Sequence, residues 1–202
     1  PLATSVRALA SLKDDGLVER IGLCNVTVGQ IEEARSITDI SAVQVELSVW
    51  HEENVLNGVV RYCATHGLQL IAYRPLGGSR RVRRTLSDPV LTDIASRHGA
   101  TAAEIALAWL GDLSANIVTI PGPTRVETLR SIVRAHGVQL SADDRERLDT
   151  RFRVDRRGGS SSSAKATADG SDPPPRDGEV VLIMGLPGAG KSTVAREYVA
   201  RG

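Results

Sequence analysis

The sequence predicts an α/β fold in which parallel strands alternate with helices. Short apolar runs rich in β-branched residues recur at a spacing of roughly 25 to 45 residues, and segments with apolar residues at helical spacing separate them. The composition, with 41% hydrophobic and 24% charged residues, is that of a globular chain able to build a core. This alternation is typical of repeated βα units, whose strands are covered on both faces.

The predicted elements begin with a helix and continue as four βα units. The predicted strands are residues 18–23, 42–47, 69–73 and 116–120. The predicted helices after the first are residues 28–38, 52–66, 88–98, 101–110 and 142–151. Thr101 and Glu104 have the spacing of a capping box, and Ser141 precedes the last helix. Gly67 and Gly99 are predicted to end the helices before them.

The composition changes sharply after Arg156. Gly, Ser, Ala and Pro dominate the next twenty or so residues without apolar periodicity, which is typical of a flexible linker. We therefore expect an α/β domain over residues 1–155, a disordered linker over 156–178 and the start of a second domain over 179–202. The chain lacks an initial Met and stops soon after a motif, so we expect both ends to be cut from a longer protein.

Charge and cysteine content exclude several classes of function. With 25 basic and 24 acidic side chains, the net charge of +1 gives no overall attraction to nucleic acid or to an anionic membrane. Cys24 and Cys63 lack metal-site spacing, and no leader or membrane-length apolar run is present, so a cytoplasmic location is expected. The four histidines also lack metal-site spacing, and three precede Gly at predicted helix ends.

Polar, Gly and Pro residues follow each of the four predicted strands. They are Cys24-Asn25, Gln44 with Glu46, the segment 73–78 and the segment 121–125. In a parallel βα barrel the carboxyl ends of the strands carry the active site. These residues therefore lie where a site is expected.

Four motifs in this order carry a family resemblance. They read Gly-Leu-Val-Glu-Arg-Ile-Gly-Leu-Cys-Asn, Val-Gln-Val-Glu, Ile-Ala-Tyr-Arg-Pro-Leu-Gly-Gly and Ile-Pro-Gly-Pro-Thr-Arg. Over residues 5–150 the chain resembles the second half of the aldo-keto reductases. The resemblance implies the last four βα units of a (β/α)8 TIM barrel and an NADP-dependent oxidoreductase acting on a small-molecule carbonyl substrate.

The resemblance also implies a cofactor site. Asn25 and Gln44 would bind the nicotinamide carboxamide, with Cys24 in place of the usual Ser, and Tyr73 would stack on the nicotinamide ring. Residues 74–78 would pass along the pyrophosphate, and residues 122–125 would flank the adenosine phosphate, which favours NADP over NAD. The implied cofactor-binding residues are Cys24, Asn25, Gln44, Tyr73, Arg74, Pro75, Leu76, Gly77, Pro121, Gly122, Pro123, Thr124 and Arg125.

Two departures from the family accompany this site. Ser131-Ile132 stands where the family often has a Glu-Asn pair near the adenine. The family's catalytic Asp, Tyr, Lys and His belong to the first half of the barrel, upstream of residue 1, so no catalytic residue is assigned and the fragment alone is expected to be inactive. The alternative is a degenerate, non-catalytic barrel that serves as a binding or scaffold module.

The one dense basic run is Arg80, Arg81, Arg83 and Arg84. A solvated loop explains it, and the competing hypothesis places one or two of the guanidinium groups over the dinucleotide phosphates.

A second constellation lies near the end of the chain. Residues 185–192 match the pattern G-x-x-x-x-G-K-[ST] after a predicted strand at 180–184 and before a predicted helix at 193–201. Backbone amides of such a loop surround phosphates, Lys191 reaches the β- and γ-phosphates and Ser192 ligates Mg²⁺. The predicted ATP phosphate-binding residues are Gly185, Gly188, Ala189, Gly190, Lys191, Ser192 and Thr193.

The wording of this loop resembles small P-loop kinases of the polynucleotide-kinase type. The sequence as a whole is therefore interpreted as a bifunctional protein that binds NADP(H) in one domain and ATP with Mg²⁺ in the other. Nucleic acid enters only as a possible kinase substrate.

Overall fold

A computed structural model describes residues 2–154 and the backbone of the strand at residues 181–185. The strands are β1 (Arg20–Cys24), β2 (Ala42–Glu46), β3 (Gln69–Tyr73), β4 (Ile117–Ile120) and β5 (Val181–Gly185). The helices are α1 (Leu2–Asp14), α2 (Val28–Arg35), α3 (Glu53–Leu56), α4 (Val59–Thr65), α5 (Gly78–Leu86), α6 (Pro89–His98), α7 (Ala102–Asp112), α8 (Val126–Ala135) and α9 (Ala142–Phe152).

All five strands form one parallel sheet with the order β4-β3-β2-β1-β5. The four strands predicted in the first domain are confirmed, with ends that shift by two residues at most. The predicted strand at 180–184 corresponds to β5, which pairs with β1 from Arg20↔Val181 to Cys24↔Gly185. The phosphate-binding pattern beyond Gly185 lies outside the described residues.

The predicted capping residues are confirmed. Thr101 and Glu104 form a reciprocal capping box at the start of α7, and Ser141 forms another with Asp144 at the start of α9. Gly67 and Gly99 adopt φ values of 66° and 60°, the left-handed conformation that lets the chain leave a helix.

The predicted helix at 52–66 is wrong as a single element, since the structure has α3 and α4 there. Gly58, with φ of 84°, separates them, and the Asn57 side chain accepts a hydrogen bond from the Val59 N–H at 3.1 Å. A left-handed glycine breaks the helical hydrogen-bond ladder, because the chain turns at that residue.

The predicted loop at the basic run is also wrong, because these residues form α5. Gly77, with φ of 84°, ends the preceding turn and opens the helix. Arg is a good helix former. Thr85 is the buried residue of α5 and accepts a hydrogen bond from Trp50 Nε1 at 2.8 Å, which holds the helix against the loop after β2.

The sheet has two different faces. Residues such as Leu23, Val43 and Leu70 lie on one face, are fully buried and pack under the helices. On the other face, the register aligns Cys24 with Gln44, Glu46 with Tyr73, and Tyr73 with Ile120. Within the described residues this second face is covered only in part, since Cys24 and Ala42 are buried whereas Val118 and Ile120 are 46% and 43% exposed. The expectation of strands covered on both faces therefore fails at β4.

Large apolar side chains from the helices fill the space over the covered face. Trp109, Leu91, Ile94, Ile105, Leu110 and Leu148 are all buried there. Within the part of the chain that the structure describes, no helix is long and apolar enough to span a bilayer.

Candidate cofactor site

The predicted nicotinamide-binding residues come together at one edge of the sheet. Asn25 follows β1 with φ of 54°, a conformation that Asn tolerates better than most residues. Its backbone N–H donates to the Gln44 carbonyl oxygen at 2.8 Å, and its side-chain Oδ1 accepts from the Tyr73 hydroxyl at 3.1 Å. Residues from three adjacent strands thus contact one another through one backbone and one side-chain hydrogen bond.

Cys24 also belongs to this cluster. Its side chain is buried, and its Sγ lies 3.5 Å from Gln44 Oε1 in the geometry of a thiol donor. Ser and Cys both offer a single donor at this position, so the replacement keeps a contact to the Gln44 amide. The departure at residue 24 therefore leaves the cluster intact.

The Tyr73 hydroxyl stays protonated at neutral pH. Burial raises its pKa, and Glu46 and Cys24 raise it further, while the Asn25 hydrogen bond and Arg74 act in the opposite direction. The neutral phenol donates a hydrogen bond to Asn25 Oδ1, and this hydrogen bond fixes the ring at the edge of the sheet.

A tight turn follows β3 at the predicted pyrophosphate segment. The Gly77 N–H donates to the Arg74 carbonyl at 2.8 Å, and Arg74 itself has φ of 51°. Arg74 Nη1 lies 3.5 Å from Glu46 Oε2, which ties the turn to the end of β2. The N-terminus of α5 begins directly after this turn, so unpaired backbone N–H groups lie beside it.

The predicted adenosine segment follows β4 at the same edge of the sheet. Ile120 pairs with Tyr73, so Pro121 continues the chain beside Arg74. Gly122, Pro123, Thr124 and Arg125 are exposed, and α8 begins after Arg125.

Ser131 faces away from this edge, toward α7. Its hydroxyl donates to Glu104 Oε1 at 2.7 Å, and Arg134 pairs with the same carboxylate at 2.8 Å. Burial raises the pKa of Glu104, but the hydrogen bonds from Ser131, Thr101 and Arg134 outweigh it and lower the pKa below its usual value. The residue where the family often has Glu therefore packs α8 on α7.

The basic run is divided between different environments. Arg81 Nη1 donates to the Trp50 carbonyl at 2.6 Å, and the Arg84 guanidinium lies 3.8 Å above the centroid of the Trp50 ring. Arg80 and Arg83 are exposed. The structure therefore gives Arg81 and Arg84 contacts of their own on the loop after β2.

Sequence reasoning assigned no role to Trp50, although it lies against the turn at Gly77. A Cβ on Gly77 would approach Trp50 Cδ1 to 3.3 Å. The only signal in the sequence is a large aromatic residue soon after a strand end, and this alone does not identify its neighbours.

Three of the four histidines have structural contacts among the described residues. His98 Nε2 lies 2.8 Å from Asp144, and the Nδ1 atoms of His66 and His136 contact backbone carbonyls one turn earlier. No group of three or more His, Cys, Asp or Glu side chains there has metal-binding geometry.

A parallel α/β sheet with amides, a tyrosine and a glycine turn at its carboxyl edge is typical of dinucleotide-binding oxidoreductases. Residues 1–151 match the model of the aldo/keto reductase family, and the chain belongs to this family.

Three similar proteins illustrate the match. Pyridoxine 4-dehydrogenase of Escherichia coli strain K12 is 36% identical over 148 residues, which are 73% of this chain and 50% of that protein. The thermostable aldo-keto reductase Tm1743, solved with the inhibitor epalrestat, aligns with a TM-score of 0.67 and 34% identity over 75% of this chain and 55% of its own. A mutant of Gox0644, solved in complex with NADPH, aligns with a TM-score of 0.63 and 26% identity over 82% and 58% of the two chains.

The chain spans about half the length of the curated relatives that it matches, since the aligned segment is 50% of the dehydrogenase.

Proposed function

We propose that the complete protein is an NADP(H)-dependent oxidoreductase that transfers hydride between the cofactor and a small carbonyl or alcohol substrate. In this proposal the chain forms the last four βα units of a (β/α)8 barrel and supplies the cofactor-binding edge. The observation that carries it is the convergence of three residues at the carboxyl edge of the sheet, where the Asn25 N–H donates to the Gln44 backbone carbonyl at 2.8 Å and the Tyr73 hydroxyl donates to Asn25 Oδ1 at 3.1 Å.

The residue types at this edge fit a nicotinamide. A carboxamide needs both a donor and an acceptor, and each of the Asn25 and Gln44 amides keeps its NH₂ group and a second oxygen lone pair. The Tyr73 ring, held by its hydroxyl, offers a flat surface that orients one face of a heterocycle. When bound, the cofactor supplies the hydride.

The phosphate groups fit the two turns that follow β3 and β4. Gly77 has no side chain, so a pyrophosphate can approach the backbone N–H groups at the start of α5, where the helix dipole favours anions. Arg125 is exposed next to the N-terminus of α8 and is the candidate for a 2′-phosphate. This arrangement favours NADP(H) over NAD(H).

The alternative of a non-catalytic barrel rests in part on the departures from the family at Cys24 and at Ser131-Ile132. Cys24 still contacts the Gln44 amide, and Ser131 is used in helix packing. The family resemblance places the proton donor in the barrel half upstream of residue 1. NADPH oxidation by the full-length protein with aldehyde substrates separates the two functions.

We further propose that the segment at residues 185–193 binds the phosphates of ATP with Mg²⁺ in a kinase-like part of the complete protein, whose first strand, β5, pairs with β1 in the same sheet. The support is the complete G-x-x-x-x-G-K-S pattern, which begins at the last residue of β5. The family match ends before it, at residue 151.

One experiment tests both nucleotide sites in the full-length protein. Gln44→Leu removes the amide and is expected to weaken NADPH binding about tenfold, because one hydrogen bond between neutral groups, the Gln44 amide and the nicotinamide carboxamide, is lost. Lys191→Ala is expected to weaken ATP binding by a larger factor, because the positively charged side chain that contacts the phosphates is lost. Each variant should leave the affinity for the other nucleotide unchanged, as measured by calorimetric titration.

The matched control is Gln139→Leu, the same exchange at an exposed position outside the cluster. Equal NADPH affinity of Gln44→Leu and the control would refute the cofactor site. Equal ATP affinity of Lys191→Ala and the unchanged protein would refute the ATP site.

A further inference from the structure

A cavity of about 300 Å³ lies beside the loop after β2, between α5 and the end of α9. Its lining residues are Val49, Trp50, Glu52, Arg84, Arg151, Phe152 and Arg153. Three of the seven carry a guanidinium group and one carries a carboxylate.

Two of the three arginines lack an anionic partner in the described part of the chain. Arg151 pairs with the buried Asp88, with Nε and Nη2 at 3.1 and 2.7 Å from Oδ2, so its charge is compensated. Arg84 and Arg153 form no ion pair among these residues. Against the single carboxylate of Glu52, the cavity keeps an excess of one positive charge.

The cavity is also rigid on its aromatic side. Trp50 is held by its indole N–H, which donates to Thr85 at 2.8 Å, and by an edge-to-face contact with Phe152 at 5.3 Å. The central carbon of the Arg84 guanidinium lies over this ring, 3.8 Å from its centroid. This stacking fixes the position of the guanidinium but leaves its N–H groups free to donate to a ligand, because the ring attracts the cation without accepting hydrogen bonds from those groups.

Arg153 occupies an unusual backbone position. It ends α9 with φ of 57°, a left-handed conformation that costs a non-glycine residue free energy. Glycine would be favoured there on conformational grounds, so the guanidinium is present at a cost in stability.

We propose that this cavity binds a small oxyanion, the phosphate or carboxylate group of a low-molecular-weight ligand, between Arg84 and Arg153. Planar guanidinium groups recognise such anions through paired hydrogen bonds. The site is distinct from the cofactor edge, because none of the residues assigned to the nicotinamide or to the two phosphate turns lines it. The proposal does not rest on the reductase activity.

The test is isothermal titration calorimetry of the full-length protein with inorganic phosphate and, separately, with acetate at constant ionic strength. We expect saturable binding of at least one probe with a Kd of about 1 mM. The probe that binds identifies the ligand group as phosphate or carboxylate, and no saturable binding of either overturns the proposal.

Three variants make the test specific. Arg84→Gln and Arg153→Gly should each weaken binding at least tenfold, and Arg153→Gly should leave the protein as stable as before or more stable. Glu52→Gln should strengthen binding several-fold, because it removes the repelling carboxylate. The control Arg83→Gln removes an exposed arginine of the same helix that does not line the cavity, and it should have no effect.

Trp50 provides an independent readout, because an anion on Arg84 changes the environment of the indole. Its fluorescence should respond to the probe, and Trp50→Phe should abolish that response. Binding that is lost when NADPH is added would place the anion in the cofactor site and overturn the proposal, as would equal affinities of Arg84→Gln and Arg83→Gln.

Discussion

Gly77 is tightly constrained by its surroundings near the carboxyl edge of the sheet. Its φ of 84° disfavours any residue with a side chain, and a Cβ there would lie 2.6 Å from Arg81 Cβ. The backbone conformation and the space are both needed for the turn that leads into α5. The glycine in the Leu-Gly-Gly motif therefore has a structural reason that is separate from any cofactor.

Gly77→Ala should lower the free energy of unfolding by about 2 to 3 kcal/mol, because strain and overlap act together. Gly29→Ala is the matched control, since Gly29 lies in α2 with open space around it, and this exchange should raise stability by about 0.5 to 1 kcal/mol. Urea denaturation of the full-length protein measures both. Equal effects of the two substitutions would contradict the role of Gly77.

At the scale of single residues, the strand-end motifs identified Asn25, Gln44 and Tyr73, and the structure brings these residues together. Their mutual contacts depend on the register of three strands, which no local pattern encodes. The environment of Trp50 was equally out of reach, because its hydrogen-bond partner Thr85 is 35 residues away along the chain.

The attachment of α9 to α6 depends on Asp144, whose side chain is 1% exposed. It accepts hydrogen bonds from the Ser141 backbone N–H at 2.9 Å, from Arg97 at 2.7 Å and from His98 at 2.8 Å. Burial by itself raises the pKa of Asp144. The hydrogen bonds from Ser141 and His98 and the charge of Arg97 outweigh burial and hold the pKa well below its ordinary value of 3.8.

Asp144→Asn should destabilise the protein by about 2 kcal/mol at neutral pH, because a buried ion pair and cap are broken. A carboxylate with a lowered folded pKa stabilises the protein above the unfolded pKa and loses this effect as pH falls through the folded value. The difference between the two proteins should therefore be constant above about pH 5 and shrink below pH 3.8. Denaturant titrations between neutral and acidic pH measure it.

The control is Asp143→Asn, which changes a neighbouring carboxyl group that is 70% exposed and lies 3.7 Å from Arg97. Its effect should stay within a few tenths of a kcal/mol at every pH, since exposed ion pairs contribute little. A constant difference for Asp144→Asn down to the lowest pH would show that the carboxylate charge is not what stabilises this contact.

At the scale of elements, the β-branched runs predicted the first four strands closely, because buried parallel strands have a strong compositional signal. Two errors had signals in the sequence, namely the single helix predicted at 52–66 and the absence of α8 from the predicted helices. Asn57-Gly58 is a turn pair inside the predicted helix at 52–66, and Val126, Leu129 and Val133 have the helical spacing of α8. The helix at the basic run had none, because charged runs are common in both helices and loops.

At the scale of the whole molecule, the two faces of the sheet differ because, within the described residues, helices cover one face and leave part of the other exposed. The apolar composition of the strands is typical of strands that are buried on both faces. The relatives are about twice as long as the aligned segment. In the described residues β4 is an edge strand, and its Val118 and Ile120 side chains stay partly exposed on the second face. Strand composition led to the expectation of burial on both faces, and the family resemblance implied that half of the barrel lies outside this chain, which periodicity cannot report.

Val118→Thr and Ile120→Thr should therefore lower the stability of the full-length protein and reduce the self-association of the isolated fragment. We propose that further strands cover this face in the full-length protein, so that both side chains, half-exposed in this chain, are buried there. Each exchange should then lower the free energy of unfolding by about 1 to 2 kcal/mol, because a buried apolar group is replaced by a hydroxyl. In the isolated fragment of residues 1–154, both exchanges should reduce self-association, because an exposed apolar edge strand is an aggregation site. Urea denaturation of the first sample and analytical ultracentrifugation of the second measure the two effects. Leu86→Gln, at a position 48% exposed at the end of α5 and off the sheet, should affect neither, and equal behaviour of all three variants would refute the covered face.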